Sequence, residues 1–254
     1  MFDIKKLELN RTKAKDFIQT SPFHQFIQTD ILDRLEPIEK NFKEILIINP
    51  IIEEMLILHL RKLSPEHNLT ISGADQNIDY PADKFDLIIF PFGLHWVNNL
   101  QAFLVKIHQI LHRNGIFICN FPGGGSLMQL RRTLVEVESA YSISHAPHIS
   151  PFIQFEQVSP LLQHAGFAEN IIDMESVELE YESPLSLMLA LKNAAESNVL
   201  TDGVSYSITK KMYQALKQTT HNLFTDRINL ITFLSSPSKN SIKLKSGYYE
   251  TASR

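Results

Sequence analysis

Glycine and cysteine are scarce in this sequence, and their distribution excludes several structures. The chain has one cysteine, Cys119, so it cannot form an internal disulfide. Because Cys119 lies in an apolar run typical of a strand, we interpret it as a buried core residue and not as a nucleophile. None of the nine glycines lies between residues 41 and 72. A loop in that range cannot use glycine to bring bare backbone against a ligand.

Long apolar runs and an excess of positive charge are also missing. No apolar run approaches the roughly 18 residues that a membrane span requires. The formal net charge of -4 gives no general attraction to nucleic acid or to anionic lipid. The first residues have neither the apolar core of a signal peptide nor the arginine-rich composition of a transit peptide. We therefore expect a soluble protein of a reducing cytoplasm, with no membrane span and no nucleic-acid partner.

Familiar catalytic and metal-binding spacings are absent from the sequence. There is no zinc-type Cys/His spacing, and no Ser-His-Asp or Cys-His arrangement stands out. His145 and His148 could supply two nitrogens of an iron site if Glu156 approached them. Two histidines in a proline-containing loop are more often surface or hydrogen-bonded residues, so we predict no metal.

Apolar strands alternate with amphipathic helices, which predicts an α/β fold with helices on both faces of a mostly parallel sheet. The predicted strands are residues 45–48, 69–72, 85–90, 116–121, 169–181 and 228–234. Helical periodicity runs through residues 12–42, 51–63, 100–111, 127–137 and 159–165, and another helix opens at 184. We predict an N-terminal helical segment (1–43), one domain (44–235) with a helical insertion (184–218), and a flexible tail (236–254).

The stretch 85–99 is the most informative, because an apolar strand there runs into a polar and aromatic turn. Ligands of open α/β sheets bind beyond the carboxyl ends of the strands, which is where His95, Trp96 and Asn98 follow. His95 could act as an acid or base near neutral pH. Trp96 could line a pocket or pack in the core.

The glycine run 123–125 is a second candidate site. With Ser126 capping the next helix and Arg131 and Arg132 following, it could hold an anion such as a carboxylate or phosphate. A flexible turn followed by solvated arginines is the alternative.

Several motifs resemble those of class I methyltransferases, the superfamily that binds S-adenosylmethionine on a seven-stranded sheet. Two of them are Phe85-Asp86-Leu87 on a strand and Arg113-Asn114-Gly115 before the next one. More narrowly, the chain is similar to the family of the mitochondrial arginine hydroxylase that assists respiratory complex I assembly, and to its alphaproteobacterial relatives. The motifs that carry this similarity are Leu94-His95-Trp96-Val97-Asn98, the glycine-rich turn before 127–131, Pro147-His148-Ile149-Ser150-Pro151-Phe152, Ala165-Gly166-Phe167 and Glu196-Ser197-Asn198.

The resemblance implies a Rossmann-like methyltransferase sheet with an antiparallel last strand and a protein or carrier-bound substrate. It also implies an S-adenosylmethionine pocket at the carboxyl ends of the strands. The positions expected to line that pocket are Asn49, Pro50, Ile51, Asp75, Gln76, Pro91 and Phe92. The positions expected to be catalytic are His95, Trp96, Asn98 and His148.

The chain departs from the family in the loop after the first strand. Relatives have a glycine-rich loop there, whereas this chain has Asn49-Pro50-Ile51-Ile52-Glu53-Glu54. Pro50 has no backbone N–H for a ligand, and the two isoleucines would crowd the space. Glu53 and Glu54 would oppose a ligand carboxylate at the helix start, although acids there also suit the helix dipole.

The spacing between strands predicts that one βα unit is lost. Three crossovers and two strands need roughly 46 residues, whereas two crossovers and one strand need roughly 29. Residues 49 to 84 number 36. The lost unit would normally bring an acid to the ligand's ribose. Asp75 then corresponds either to the acidic turn near the adenine or to an ordinary turn aspartate.

The resemblance to the family and the altered loop after the first strand together suggest two functions. The first is a methyltransferase-superfamily protein with a degenerate cofactor loop, which binds S-adenosylmethionine weakly or not at all and acts as a protein-binding assembly factor. The alternative is an active S-adenosylmethionine-dependent methyltransferase or hydroxylase acting on a protein or carrier-bound substrate.

Overall fold

The computed structural model describes residues 2–73, 78–141, 148–201, 208–218 and 223–246. Within these ranges the strands are β1 (Glu44–Ile48), β2 (Asn68–Ser72), β3 (Phe85–Pro91), β4 (Leu111–Pro122), β5 (Glu169–Tyr181) and β6 (Phe224–Ser236). The helices are α1 (Ile4–Thr20), α2 (Pro22–Leu35), α3 (Glu53–Leu63), α4 (Leu100–Ile110), α5 (Met128–Ala140), α6 (Phe155–His164), α7 (Pro184–Asn193) and α8 (Lys210–Gln218). A 3₁₀ turn, Leu94–Trp96, follows β3.

The chain divides into two compact units. The sheet unit comprises Gln19–Phe121, Glu156–Asp173 and Ile231–Arg254. The second unit comprises Met1–Ile18, Pro122–Phe155 and Met174–Leu230. β5 and β6 each contribute residues to both units.

The six strands form one sheet in the order β2-β1-β3-β4-β6-β5. The pairs β1–β2, β1–β3 and β3–β4 are parallel, and the last pair is antiparallel. Pro91 at the end of β3 pairs with Asn120 on β4, so the carboxyl ends of these two strands meet at one edge. The predicted α/β class with a mostly parallel sheet is therefore confirmed.

The predicted loss of one βα unit agrees with the segment between β1 and β3. In the described part of that segment the chain forms only α3 and β2, and β1 pairs directly with both β2 and β3. The sheet has six strands in the described ranges, one fewer than the seven of the superfamily.

Alternation along the strands places a core on each face of the sheet. Ile45, Ile47, Leu87 and Ile89 pack in one cluster that also includes the apolar faces of α2 and α3. The opposite face is rich in aromatic contacts: the rings of Phe117 and Phe233 lie 5.2 Å apart, and Phe117 stacks on Phe167 at 6.1 Å. Cys119 is fully buried, as predicted, and burial raises its pKa well above the ordinary value of a thiol.

The N-terminal helical run is interrupted at Ser21. The periodicity predicts a continuous pattern over 12–42, but Ser21 is extended, with φ -68° and ψ 122°, and α2 begins at Pro22. Proline disfavours helical backbone in the residue before it, which explains the break.

β4 is longer than predicted. It begins at Leu111 and includes Arg113-Asn114-Gly115, which the pattern assigns to a helix stop. Phe85 pairs with Leu111 and Leu87 pairs with Ile116, so the extra residues form a bulge. Glycine suits the bulge because a Cβ at position 115 would lie 2.9 Å from the carbonyl oxygen of Phe85.

Part of the segment predicted to be a flexible tail is hydrogen-bonded to the sheet unit. The N–H of Ser241 donates to the Glu169 carboxylate at 2.7 Å, and the N–H of Lys245 donates to the carbonyl of Pro37 at 2.8 Å. Residues 247–254 lie outside the described ranges. The limits of the N-terminal segment, the insertion and the tail stay predictions.

Candidate functional site

The chain turns sharply where β3 ends, at the edge where the sheet's parallel strands finish. Phe92 takes a left-handed backbone conformation, with φ 43°, and Gly93 follows before the 3₁₀ turn. A Cβ at Gly93 would lie 2.0 Å from the ring of Phe90, so glycine lets this ring pack beneath the turn. The turn places His95 and Trp96 immediately beyond the carboxyl end of β3.

His95 and Trp96 are part of an aromatic cluster, which we define as Phe23, Phe92, His95 and Trp96. The ring centroids of Phe23 and Phe92 are 5.6 Å apart, those of Phe92 and His95 are 5.1 Å apart, and those of His95 and Trp96 are 4.7 Å apart. His95 is 7% exposed and Trp96 is 4% exposed. Both side chains therefore pack in the interior, whereas Asn98 is half-buried.

The side chain of Asn120 links the end of β4 to the end of β3 and to α2. Its Oδ1 accepts a hydrogen bond from the N–H of Phe92 at 3.0 Å. Its Nδ2 donates to the carbonyl of Ile27 at 2.7 Å and to the carboxylate of Asp30 at 3.1 Å. Asn120 is fully buried and has a partner for its oxygen and for both N–H groups.

Asp30 extends this connection into a chain of charged groups. Its Oδ2 also accepts from the hydroxyl of Thr232 at 2.6 Å, and its Oδ1 accepts from Arg34 Nε at 2.8 Å. The guanidinium of Arg34 in turn donates to Asp173 at 2.8 Å. Burial alone would lower the pKa of Arg34, but the hydrogen bonds to Asp30 and Asp173 and the negative charges of these carboxylates together outweigh burial and raise that pKa. We call Asn120, Asp30, Thr232, Arg34 and Asp173 the polar network.

The loop after β1 is held by a side chain from α2. Asn49 takes a left-handed conformation, with φ 48°, and its N–H donates to the carbonyl of Ser72 at 2.7 Å. The amide of the fully buried Gln28 bonds Ile52 twice: Nε2 donates to the Ile52 carbonyl at 2.5 Å, and Oε1 accepts from the Ile52 N–H at 3.2 Å. Ile51 and Ile52 are half-buried.

The predicted pocket positions thus fall in two groups. Pro91 and Phe92 are buried at the end of β3, and the Phe92 N–H is bonded to Asn120. Asn49, Pro50 and Ile51 form the loop after β1, which leads into the exposed acids at the start of α3. Asp75 and Gln76 lie outside the described residues.

His148 belongs to the second unit and forms a buried pair there. Its Nε2 lies 2.8 Å from the Oε1 of Glu138 on α5, and the two side chains are 8% and 1% exposed. Nearby on the same helix, Arg131 donates to the carbonyl of Ser150 at 3.2 Å. His145 lies outside the described ranges, and none of the described residues forms a cluster of three or more metal-ligating side chains.

The glycine run 123–125 is anchored by hydrogen bonds within the second unit. The N–H of Gly123 donates to the carbonyl of Asn229, and that of Gly124 donates to Ile153, both at 2.7 Å. The prediction that Ser126 caps α5 is wrong: its hydroxyl donates to Gly123 and accepts from the N–H of Asn229.

The carboxylate of Asp226 takes the role predicted for Ser126. It accepts from the N–H groups of Gln129 at 3.3 Å and Leu130 at 2.7 Å, in the first turn of α5. Arg132 is exposed and pairs with Glu136 on its own helix. The predicted anion site thus has two glycine amides and both arginines already engaged with protein groups.

Sequence reasoning missed Gln28, Asp30 and Asn120, the residues that tie α2 to the strand ends. Asn120 had a detectable signal, since it is a lone amide in an apolar strand and buried polar groups require partners. Gln28 and Asp30 had none, because polar residues on an amphipathic helix usually face solvent.

The parallel sheet and the residues gathered at its strand ends define a Rossmann-like methyltransferase fold. A family model described as a methyltransferase domain matches residues 34–119. The crystal structure of a candidate methyltransferase from Bacillus halodurans C-125 superimposes with a TM-score of 0.50 at 15% identity, over 82% of this chain and 99% of that one. This likeness concerns the fold alone.

Similarity to two relatives identifies the family of this chain more closely. A candidate methyltransferase of Rickettsia prowazekii (strain Madrid E) is 47% identical over 197 residues, which cover 78% of this chain and 86% of that protein. The mitochondrial arginine-hydroxylase NDUFAF5 of Rattus norvegicus is 34% identical over 130 residues, or 51% of this chain and 38% of that protein. This chain belongs to the class I S-adenosylmethionine-dependent methyltransferase superfamily, close to the arginine-hydroxylase branch. None of the helices within the described residues is long and apolar enough to span a membrane.

Proposed function

We propose that this protein binds S-adenosylmethionine weakly or not at all and acts as a protein-binding assembly factor of the methyltransferase superfamily. The observation that carries the proposal is the double hydrogen bond between the Gln28 amide and the backbone of Ile52. It occupies backbone groups of the loop on which a superfamily cofactor would rest.

Opening this loop for a ligand would be costly. Gln28 is fully buried, so losing Ile52 would leave its amide without partners in the interior. An unsatisfied buried polar group costs about 1–3 kcal/mol, which corresponds to roughly a 5- to 150-fold loss of affinity.

The composition of the loop also disfavours binding of the cofactor. No glycine allows close approach of the backbone, and Pro50 offers no N–H donor. Glu53 and Glu54 lie in the first turn of α3 and are exposed, so they place negative charge where a ligand carboxylate would bind. The residues present therefore do not fit the cofactor, and we derive no reaction step through it.

A protein partner is supported by the family relationship. The branch that includes the arginine hydroxylase implies a protein or carrier-bound substrate, and the motif of residues 94–98 that carries the resemblance is intact here. An assembly factor would keep the partner-binding surfaces of such an enzyme while its cofactor loop degenerates.

One observation favours the alternative of an active methyltransferase or hydroxylase. Asn49 keeps a left-handed conformation at the end of β1, with φ 48°, a backbone shape that glycine adopts most easily and asparagine tolerates. In an active enzyme, His95 and Asn98 would serve on the substrate side.

Isothermal titration calorimetry with S-adenosylmethionine and S-adenosylhomocysteine separates the two functions. We expect no binding of either compound in the micromolar range, and micromolar affinity would overturn the proposal. The variant Gln28→Ala frees the Ile52 backbone and should bind at least about tenfold more tightly than the unaltered chain. Gln25→Ala, an exposed glutamine on the same helix, is the matched control and should leave the affinity unchanged.

A further inference from the structure

We infer that the β5 strand of the second unit, from Glu175 to Tyr181, binds a basic, extended segment of a partner protein as an added strand. The inference rests on the proposed function in one respect, because it takes the partner to be a protein.

β5 is the last strand of the sheet. In the described residues it has β6 as its only neighbouring strand, so one row of its backbone N–H and C=O groups has no strand partner. Such an edge is a template for pairing with another chain, and peptides commonly bind by extending a sheet in this way.

The side chains of this segment alternate between two faces. Glu178, Glu180 and, just beyond the strand, Glu182 are exposed. Val177, Leu179 and Tyr181 alternate with them and are half-buried. A strand added alongside would therefore place every second side chain beside carboxylates and the others beside apolar groups.

The surrounding sequence supplies little positive charge to the edge. The sequence from Thr133 to Leu191 contains no lysine or arginine. Ser176 contacts Asn229 on β6 at 2.6 Å, which brings Arg227 to the same face of the sheet. Among the described residues neither Arg227 nor any lysine lies within ion-pair distance of Glu178 or Glu180. The carboxylates are thus available to a partner.

The negative charge of the β5 edge also determines which kind of partner can bind there. Pairing with β5 of a second copy would set glutamates against glutamates, and like charges across strands are destabilising. Anionic lipid and nucleic acid would be repelled for the same reason. The occupant that complements the edge is an extended segment in which basic and apolar residues alternate.

A labelled peptide of alternating arginine and valine tests the inference by fluorescence anisotropy with the full chain and no cofactor. Binding is expected, and the double variant Glu178→Lys with Glu180→Lys should weaken it by about tenfold or more. The control is Glu39→Lys with Glu66→Lys, which changes the net charge equally at exposed sites of the sheet unit and should alter affinity less than about twofold.

A second peptide separates strand addition from simple charge attraction. It has the same sequence with its central backbone nitrogens methylated, so it keeps the charge but loses its hydrogen-bond donors, and its affinity should fall by about tenfold. Absent binding of the first peptide, equal loss in the two double variants, or equal binding of the methylated peptide would each overturn the inference. Thermal unfolding followed by circular dichroism verifies that the variants fold. These results are independent of S-adenosylmethionine affinity, so a failure here is distinguishable from a failure of the cofactor-loop proposal.

Discussion

Asn120 and Asp30 are 90 residues apart in the sequence, yet the amide of Asn120 donates a hydrogen bond to the carboxylate of Asp30 over 3.1 Å. Through this contact and the bond to the Phe92 backbone, α2 is attached to the ends of β3 and β4. The residues expected to form the substrate side, His95 and Trp96, therefore lie in a region whose shape depends on α2.

The first prediction concerns the variant Asn120→Ala. It removes the hydrogen bond between the Asn120 side chain and the N–H of Phe92 and one donor to Asp30, so we expect the free energy of unfolding to fall by about 2–4 kcal/mol. Urea denaturation measures the change. Asn68→Ala removes an exposed asparagine with a surface hydrogen bond and should cost less than about 0.5 kcal/mol. Equal losses for the two variants would contradict a structural role for the network.

The second prediction concerns the turn beneath His95. Gly93→Ala places a methyl group against the ring of Phe90 and should destabilise the protein by about 1–3 kcal/mol. Phe90→Leu shortens the obstructing side chain. In that background, Gly93→Ala should lower the free energy of unfolding by less than it does in the unaltered chain. A double-mutant cycle from thermal unfolding tests this coupling, and strictly additive effects would disprove the steric explanation.

The third prediction concerns the buried pair of Glu138 and His148. Removing His148 leaves an almost fully buried carboxylate without this partner, which typically costs about 3–5 kcal/mol. Glu138→Gln in the background of His148→Ala should recover part of that loss, because a neutral amide is less costly to bury. The comparison of the single and double variants in urea measures the coupling. No recovery would mean that the loss arises from the vacated space and not from the Glu138 carboxylate that has lost His148.

The fourth prediction uses the raised pKa of Cys119. Below about pH 9 the thiol is protonated whether the protein is folded or unfolded, so its contribution to stability does not vary with pH. Above this pH the thiol ionises only in the unfolded chain, because burial keeps the folded pKa higher, and the free energy of unfolding falls.

The expected loss attributable to this thiol is about 1 kcal/mol between pH 9 and 10. Cys119→Ala retains every other titrating group but lacks this contribution, so its stability should fall less steeply over the same interval. Denaturation curves at several pH values provide the slopes. Parallel slopes for the variant and the unaltered chain would show that the thiol does not ionise in the unfolded state alone.

Local sequence patterns predicted most strands of the sheet because the burial of a strand is recorded in the order of its own apolar and polar residues. The apolar run of β3 and the alternation in β5 identify buried and half-buried strands directly, and their observed bounds match the predictions within a residue. Helix starts were predicted where the cap is nearby in sequence: Asn99 accepts from the N–H of Ala102, and Ser183 accepts from that of Ser186. The start of α5 was predicted within one residue, but its capping residue was not, since Asp226 lies on β6.

The candidate site was predicted only in part. The stretch 85–99 was placed correctly at the carboxyl end of a central strand, and the missing glycines after β1 were evident from composition. The Gln28 contact with Ile52 was not foreseen, because nothing in the pattern of an amphipathic helix indicates which polar side chain turns inward.

The sequence by itself determined the alternation of strands and helices, the length available between β1 and β3, and the absence of glycine after β1. These features depend on hydrophobic periodicity and local composition, which are set by residues close together in the sequence. Only the tertiary structure decided that Gln28 bonds the loop, that Asn120 joins α2 to two strand ends, and that His95 and Trp96 are buried. Such contacts depend on partners distant in the chain, and a buried polar group takes the partner that the fold brings within hydrogen-bond distance.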